Sequence, residues 1–385
     1  MKKRMVALLT AAAMLVVLGG CSSSSQSEKD GAGKPEEKKE EAGGAEATGE
    51  LQTVKVVMPR DIECLDDMAM WIGDSQGDFE EQGLKLEMIS GSNPSDIQMV
   101  STGQADLACP SPNVTMAQIE AGVPVKIVSG YDAINIYGFS AVNGKGIDTW
   151  EDLKGKTIAL GDASWESIAA PTLIAAGLDP EKDVEYVVNG DSRYQMVSEG
   201  QVDVLFTWIS EYEQLKGMGY DFNYLDGSEI LEVFGASWVA GTDFFDEKGE
   251  TLQKFLYALQ KSIYFMYLNP EAAADITCNQ FPEIEVEWDG ALGCANGRVG
   301  QALGVEGSLE EYFVDEVGVG YMSDEAWNTV IDNAVKAGVI KEKLNVEDCY
   351  SDELLPELLS DEDKADAEAD AEAYQCTSKV YESAH

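Results

Sequence analysis

Two stretches of this 385-residue chain share one pattern: residues 100–122, "VSTGQADLACPSPNVTMAQIEAG", and residues 197–219, "VSEGQVDVLFTWISEYEQLKGMG". Each predicts a helix end, a Gly-Gln-x-Asp turn, an apolar strand, a polar loop and a new helix. A generic turn would explain the short motif alone, but the matching flanks favour equivalent βα units in two lobes. Ligands of parallel sheets bind outside the carboxyl ends of the strands, so we expect both polar loops to face one cleft.

Strands and helices alternate around both stretches. Apolar runs such as "VKVVM" at 54–58 and "KTIAL" at 156–160 predict buried strands, and a helix is expected over about 66–82. This alternation is typical of parallel βα units, so the predicted fold class is α/β. The later part reads mainly as helix. The acidic, Ala-rich residues 361–374 are either a solvated helix or a frayed tail.

The beginning of the chain predicts export. Residues 1–20 combine three basic residues with an apolar run that is short for a membrane span, as in a signal peptide. Small residues precede Cys21, an arrangement that resembles the bacterial lipobox, so we expect lipidation (palmitate) at Cys21; an ordinary secretory signal is the alternative. Residues 21–50 contain almost no large apolar side chain and predict a flexible tether. The protein is thus expected on the outer face of the cytoplasmic membrane.

Composition excludes several functions. The chain has 26 Lys and Arg against 71 Asp and Glu, a formal net charge of −45, which argues against nucleic acid as a partner. The one histidine, His385, is the last residue of the sequence, so neither a His-assisted nucleophile nor a His-ligated zinc is expected in the body. We expect no catalytic residue, cofactor or metal.

The body contains six further cysteines: Cys64, Cys109, Cys278, Cys294, Cys349 and Cys376. An exported protein can form disulfides, and a pair such as Cys278 with Cys294 is one option. The sequence does not define the connectivity.

Several motifs in order resemble a known family. "GDFEEQGLKLEMI", "STGQADLACPSPNVTMAQIEAGVPVKIV" and "GIDTWEDLKGKTIALGDASWESIAAPTLIAAGL" are similar to solute-binding proteins of ABC importers, in the branch of nitrate, taurine, alkanesulfonate and thiamine-pyrimidine-precursor binders. The likeness covers about 53–275, is weaker over 284–320 and resumes near 323. Relatives that bind sulfonates often carry Trp-Asp-Pro where this chain has "WIS" from Trp208, so no particular ligand is implied.

The resemblance implies a two-lobed periplasmic-binding-protein (type II) clamshell with two hinge crossings. Lobe 1 would comprise 51–138 plus 236–360, lobe 2 would comprise 139–235, and 361–385 would be an acidic tail. It also implies a small-molecule solute and, as partners, the permease and ATPase subunits of an ABC importer.

Candidate ligand-binding residues follow the strands that point at the cleft. Arg60 suits a carboxylate or sulfonate, and Trp71 and Tyr131 suit stacking or simple packing. The others lie in polar loops or at helix starts, where free backbone N–H groups favour an anion, although capping explains the same residues. They are Ser92, Asn93, Ser111, Asn113, Ser164, Trp165, Thr207 and Trp208.

The aromatic side chains favour a small organic solute, either an aromatic or heterocyclic compound or an organic acid or sulfonate. Transport of that solute is the leading hypothesis. Two alternatives stay open: an enzyme on the same fold that acts on a pyrimidine-like compound, and a ligand sensor outside transport.

Overall fold

Two five-stranded mixed sheets organise the chain in a computed structural model that describes residues 50–303 and 320–385. Sheet A has the order β2-β1-β3-β10-β4, and sheet B has the order β7-β6-β8-β5-β9. The strands are β1 Gln52–Met58, β2 Leu84–Ser90, β3 Leu107–Ala108, β4 Val125–Gly130, β5 Tyr137–Ser140, β6 Lys156–Leu160, β7 Val184–Val188, β8 Val204–Trp208, β9 Leu225–Asp226 and β10 Ser237–Gly241.

Helices connect the strands and cover both sheets. The helices that follow strands of the two sheets are α1 Met68–Gln76, α2 Asp78–Glu81, α3 Ser95–Ser101, α4 Pro112–Glu120, α5 Glu166–Ala175, α6 Arg193–Ser198, α7 Ile209–Gly217 and α8 Thr242–Glu247. The later helices among the described residues are α9 Gly249–Leu268, α10 Pro270–Gln280, α11 Trp288–Leu303, α12 Asp324–Lys336, α13 Val346–Cys349, α14 Asp361–Ala373 and α15 Lys379–Ala384.

The two repeated stretches occupy equivalent places in the two sheets. After each helix the chain turns at a glycine with positive φ, 70° at Gly103 and 74° at Gly200, a conformation that glycine adopts readily. The Asp106 carboxylate accepts the backbone N–H of Lys55 on β1, and the Asp203 carboxylate accepts that of Thr157 on β6. The Gly-Gln-x-Asp motif therefore ties each new strand to the first parallel strand of its sheet.

The predicted α/β, two-lobed clamshell is confirmed, with two local corrections. The sheets are mixed rather than parallel, because β10 runs antiparallel to β3 and β4, and β5 runs antiparallel to β8 and β9. The helix expected over 66–82 is two helices, separated at Gly77 with φ 85°.

The chain passes from sheet A to sheet B between β4 and β5, and returns between β9 and β10. These two passages correspond to the two expected hinge crossings. The lobe boundaries at 138/139 and 235/236 stay a prediction.

The acidic C-terminal segment is ordered. Helix α14 lies along α9, burying Ala367 and Ala371, and Tyr264 donates a hydrogen bond to Glu368 over 2.8 Å. The buried Asp275 on α10 accepts the Tyr374 hydroxyl at 2.9 Å and the backbone N–H groups of Thr377 and Ser378. The segment expected to be a solvated helix or a frayed tail is thus a docked helix that covers the first lobe.

Helix α11 packs unusually closely on α7, which follows β8 of sheet B. A Cβ added at Gly293 would lie 2.4 Å from the Glu213 carbonyl oxygen, and one at Gly297 would lie 2.5 Å from the Ser210 Cα. On its other side α11 contributes Cys294 and Ala295 to the core that sheet A shares with α1, α9 and α10. This helix therefore contacts both lobes.

The predicted signal peptide at 1–20, the predicted lipidation site Cys21 and the predicted tether up to residue 49 lie outside the described residues, as does the 304–319 part of the 284–320 segment. Across the described ranges, no helix combines the length and the hydropathy that a membrane span needs. All six body cysteines are free thiols, so the suggested disulfide between Cys278 and Cys294 is not formed.

Candidate functional site

A cavity of about 70 Å³ lies between the two sheets, at the ends of their strands. Pro59 and Arg60 reach it from the end of β1, and Cys109 and Ser111 reach it from the loop after β3. Sheet B contributes Trp208 from the end of β8 and Trp165 from the turn after β6. The polar loops of the two repeated stretches thus face the same cavity.

Aromatic rings form the wall of the cavity on the sheet B side. The Trp165 and Trp208 rings meet edge to face with centroids 5.6 Å apart, and Tyr137 stacks on Phe206 at 5.7 Å. The Arg193 guanidinium lies 5.0 Å from the Trp165 ring and 5.5 Å from the Trp208 ring. Such cation–π contacts hold the two indoles in place, so the wall offers rigid, flat surfaces.

An ion pair supports this wall from behind. Arg193 pairs with Glu211, which also accepts the Thr207 hydroxyl at 2.6 Å. Burial raises the pKa of Glu211, and Arg193 offsets part of that rise. Thr207 is fully buried. Its hydroxyl holds the Glu211 carboxylate, which in turn pairs with Arg193 behind the two indoles.

On the sheet A side, Arg60 is already engaged by protein carboxylates. Its guanidinium pairs with the fully buried Asp67, and its Nε lies 4.0 Å from Asp66. Burial raises the pKa of Asp67, and Arg60 counteracts this by favouring the ionised form. The Arg60 side chain therefore reaches the cavity with its positive charge opposed by the Asp67 carboxylate.

Asp66 also connects the two lobes. Its carboxylate accepts the Trp208 indole N–H at 3.0 and 3.1 Å and the Ser210 hydroxyl at 2.5 Å. Both donors belong to the end of β8 and the start of α7 in the second lobe. We call this set of contacts the Asp66 latch, because it links the two lobes beside the cavity.

A second balanced arginine enters from α11. The Nη1 of Arg298 lies 3.0 Å from Asp132 and also donates to Gln301. Its guanidinium carbon lies 4.5 Å from the centroid of the Tyr131 ring. Both arginines of the lining therefore face carboxylates, which leaves no surplus positive charge among the described lining residues.

Six of the eleven predicted ligand-binding side chains line the cavity: Arg60, Asn93, Ser111, Tyr131, Trp165 and Trp208.

The other five lie elsewhere. Trp71 packs against Phe281 with ring centroids 5.0 Å apart, and Ser92 is exposed and bonded to Ser95. Asn113 is buried in the first turn of α4 outside the cavity lining, Ser164 bonds to the carboxylate of Asp162, and Thr207 lies behind the wall.

The sequence reasoning missed three charged residues of the lining: Asp66, Asp132 and Arg298. Asp66 and Asp67 lie shortly after Arg60, beyond the stretch "PRDIEC" at 59–64 and Leu65. Two adjacent acids close to a predicted ligand-binding arginine are a signal that could have been used. Arg298 lies in the 284–320 segment, where the family resemblance is weak, and no local pattern points to it.

The architecture defines the class of protein. The sulfonate-binding protein SsuA of Escherichia coli superposes with a TM-score of 0.60 at 14% identity, covering 80% of this chain and 94% of that one. The alkanesulfonate-binding SsuA of Xanthomonas axonopodis pv. citri, bound to MOPS, gives a TM-score of 0.60 at 14% identity, covering 78% and 98%. The chain has the fold of the periplasmic binding proteins.

The sequence defines the family of this chain more narrowly than the fold does. Residues 66–273 match the NMT1/THI5 like family, and the chain belongs to that family. A formylaminopyrimidine-binding protein of Halalkalibacterium halodurans is 27% identical over 214 residues, which is 54% of this chain and 64% of the relative. The Saccharomyces cerevisiae protein THI5, a 4-amino-5-hydroxymethyl-2-methylpyrimidine phosphate synthase, is 24% identical over 220 residues, 53% of this chain and 64% of the relative. The family thus contains proteins named as binders and proteins named as synthases.

Proposed function

We propose that this chain is an exported, lipid-anchored solute-binding protein that holds a flat, uncharged heterocycle of the aminopyrimidine type between its lobes and delivers it to an ABC importer. The observation that carries the proposal is the pairing of a rigid aromatic wall with two charge-balanced arginines in one cavity between the lobes. At about 70 Å³ the cavity is smaller than most ligand sites, so the lobes are expected to move apart to admit the solute. The pyrimidine relatives support the ligand class.

The charge balance separates this ligand from a sulfonate. An anion entering the cavity would meet Arg60 and Arg298 with their charges already opposed by Asp67 and Asp132, and it would approach the Asp66 carboxylate as well. Transfer of an anion out of water without a free countercharge is costly. A neutral heterocycle avoids this cost and gains stacking on the indoles.

Binding rather than catalysis fits the thiols near the cavity. Burial, as the main cause, raises the pKa of Cys64 to about 12 and that of Cys109 well above its ordinary value. Both sulfurs are therefore protonated at neutral pH, whereas the nucleophilic form of cysteine is the thiolate. With His385 as the one histidine of the sequence, the described cavity has no imidazole to activate them.

Isothermal titration calorimetry tests the ligand class. The proposal expects saturable binding of a formylaminopyrimidine and no binding of taurine or MOPS under the same conditions. Chromatography of the mixture after prolonged incubation should recover the pyrimidine unchanged. Binding of the sulfonates alone would overturn the ligand class, and consumption of the pyrimidine would replace the binding role with an enzymatic one.

The membrane anchor has a separate test. Cells that express the protein are labelled with radioactive palmitate, and the label should follow the wild-type chain into the membrane fraction. A Cys21→Ser variant should lose the label. If the variant retains the label, the lipidation proposal is wrong, whatever the ligand proves to be.

A further inference from the structure

One end of the cavity carries buried hydrogen-bond donors without partners. Among the described residues, the Nε and Nη2 groups of Arg298 and the hydroxyl of Tyr131 have no hydrogen-bond acceptor, and each residue is only 3% exposed. A buried donor left without an acceptor destabilises the structure. Both residues line the cavity, so a ligand atom is the natural acceptor.

We propose that this end of the cavity selects solutes that present a carbonyl oxygen as an uncharged hydrogen-bond acceptor, and that Arg298 is the residue that determines this specificity. This proposal rests on the proposed function and specifies which group of the ligand the protein recognises.

The protein fixes the orientation of Arg298. Its Nη1 is held by Asp132 at 3.0 Å, and the same carboxylate accepts the Ala236 backbone N–H at 2.8 Å. Gln301, one turn further along α11, accepts from the same Nη1, and the Tyr131 ring covers one face of the guanidinium. With Nη1 occupied, Nε and Nη2 are the groups left for a ligand.

The chemistry of this end favours a neutral acceptor over an anion. Asp132 already opposes the charge of Arg298, so the arginine contributes directional donors rather than net positive charge. Burial raises the pKa of Tyr131, so its hydroxyl is a neutral donor at physiological pH. The side-chain oxygen of Asn93, another lining residue, has no donor among the described residues, and an amino group on the same heterocycle would satisfy it.

Part of this end of the cavity lies beyond the matched family region, although Tyr131 and Asp132 lie within it. Arg298 and Gln301 follow the last matched residue, 273, on a helix placed by close packing on α7. The arginine that we propose as the specificity determinant therefore lies in a segment that the matched family region does not cover.

The experiment compares two ligands on three proteins by calorimetry. The ligands are a formylaminopyrimidine, which carries a carbonyl oxygen, and the same aminopyrimidine without the formyl group. The wild-type protein should bind the formyl compound at least tenfold more tightly. Arg298→Lys keeps a charge opposite Asp132 but removes Nε and Nη2, and should reduce this preference to less than threefold.

Trp165→Phe is the matched control, because it alters the stacking wall and not the donor end. It should weaken both ligands by a similar factor and keep the preference. Tyr131→Phe provides a second variant that is expected to fold, since the hydroxyl it removes has no hydrogen-bond partner among the described residues. It should weaken the formyl compound several-fold, leave the other ligand unchanged and leave the melting temperature of the empty protein equal or higher.

The outcomes separate the two proposals. Equal affinity of the wild-type protein for both ligands, or an unchanged preference in both the Arg298 and the Tyr131 variants, would overturn this inference and leave the proposed function standing. Binding of neither pyrimidine would overturn both.

Discussion

The contact between α11 and α7 makes a quantitative prediction for two glycines on one helix. A Cβ at Gly297 would lie 2.5 Å from the Ser210 Cα and 3.0 Å from the Ser210 nitrogen. The shorter distance is about 0.9 Å below an ordinary van der Waals contact, and backbone atoms cannot rotate away as a side chain can. At Gly300, by contrast, none of the described atoms lies within 4 Å of the added Cβ.

Replacement of each glycine by alanine therefore has opposite expected effects. Gly300→Ala should stabilise the protein by up to about 1 kcal/mol, because alanine favours helix. Gly297→Ala gains the same propensity but forces α11 away from α7, which costs about 1–3 kcal/mol in overpacked sites. The displacement also moves Arg298, the next residue, so we expect at least a tenfold loss of affinity for a formylaminopyrimidine, about 1.4 kcal/mol.

Urea unfolding of the two variants and the wild type gives the stabilities, and calorimetry gives the affinities. Equal denaturation slopes would show that the variants differ in stability rather than in the surface exposed on unfolding. If Gly297→Ala matched Gly300→Ala in both stability and affinity, the close interlobe packing of α11 would be refuted.

Three further substitutions test other parts of the structure. Asp96 is buried, and neither of its carboxylate oxygens bonds to a described side chain. Burial raises its pKa from 3.8 to about 7, so the folded state holds a proton that the unfolded state releases, and stability falls as pH rises through this window. Asp96→Asn should remove up to about 4 kcal/mol of this loss, and parallel wild-type and variant stability curves between pH 4 and 7.5 would contradict it. Trp208→Phe keeps a ring in the wall but removes the N–H donated to Asp66. The affinity for a formylaminopyrimidine should fall about tenfold, because a hydrogen bond to a charged group is lost. An unchanged calorimetric affinity would show that the Asp66 latch contributes nothing to binding. Asp275→Ala removes the acceptor of three hydrogen bonds from the C-terminal segment. Residues 361–385 should then be the first site of limited proteolysis. Resistance to the protease equal to that of the wild type would contradict the docking of this segment.

The order of strands and helices could be predicted because local patterns define them. Runs such as "VKVVM" and "KTIAL" are buried strands, and the two Gly-Gln-x-Asp turns mark equivalent units. The antiparallel direction of β10 could not be predicted from its own residues, because it depends on where the chain returns after β9.

The candidate site was predictable where a residue lies at the end of a strand or in the loop after it. Trp208 ends β8, Arg60 and Trp165 lie in the loops after β1 and β6, and all three line the cavity. Thr207 precedes Trp208 by one residue, and because side chains alternate along a strand it points to the opposite face, toward Glu211. Arg298 reaches the cavity through the packing of two helices distant in sequence, and no local pattern carries that information.

The central claim, that the cavity takes a neutral heterocycle rather than a sulfonate, is tested most directly by native mass spectrometry in competition. The purified protein is mixed with equal concentrations of a formylaminopyrimidine and MOPS and transferred intact to the gas phase. The account predicts one bound pyrimidine per chain, lost when both Trp165 and Trp208 are replaced by alanine. A bound MOPS molecule with no pyrimidine complex would contradict it.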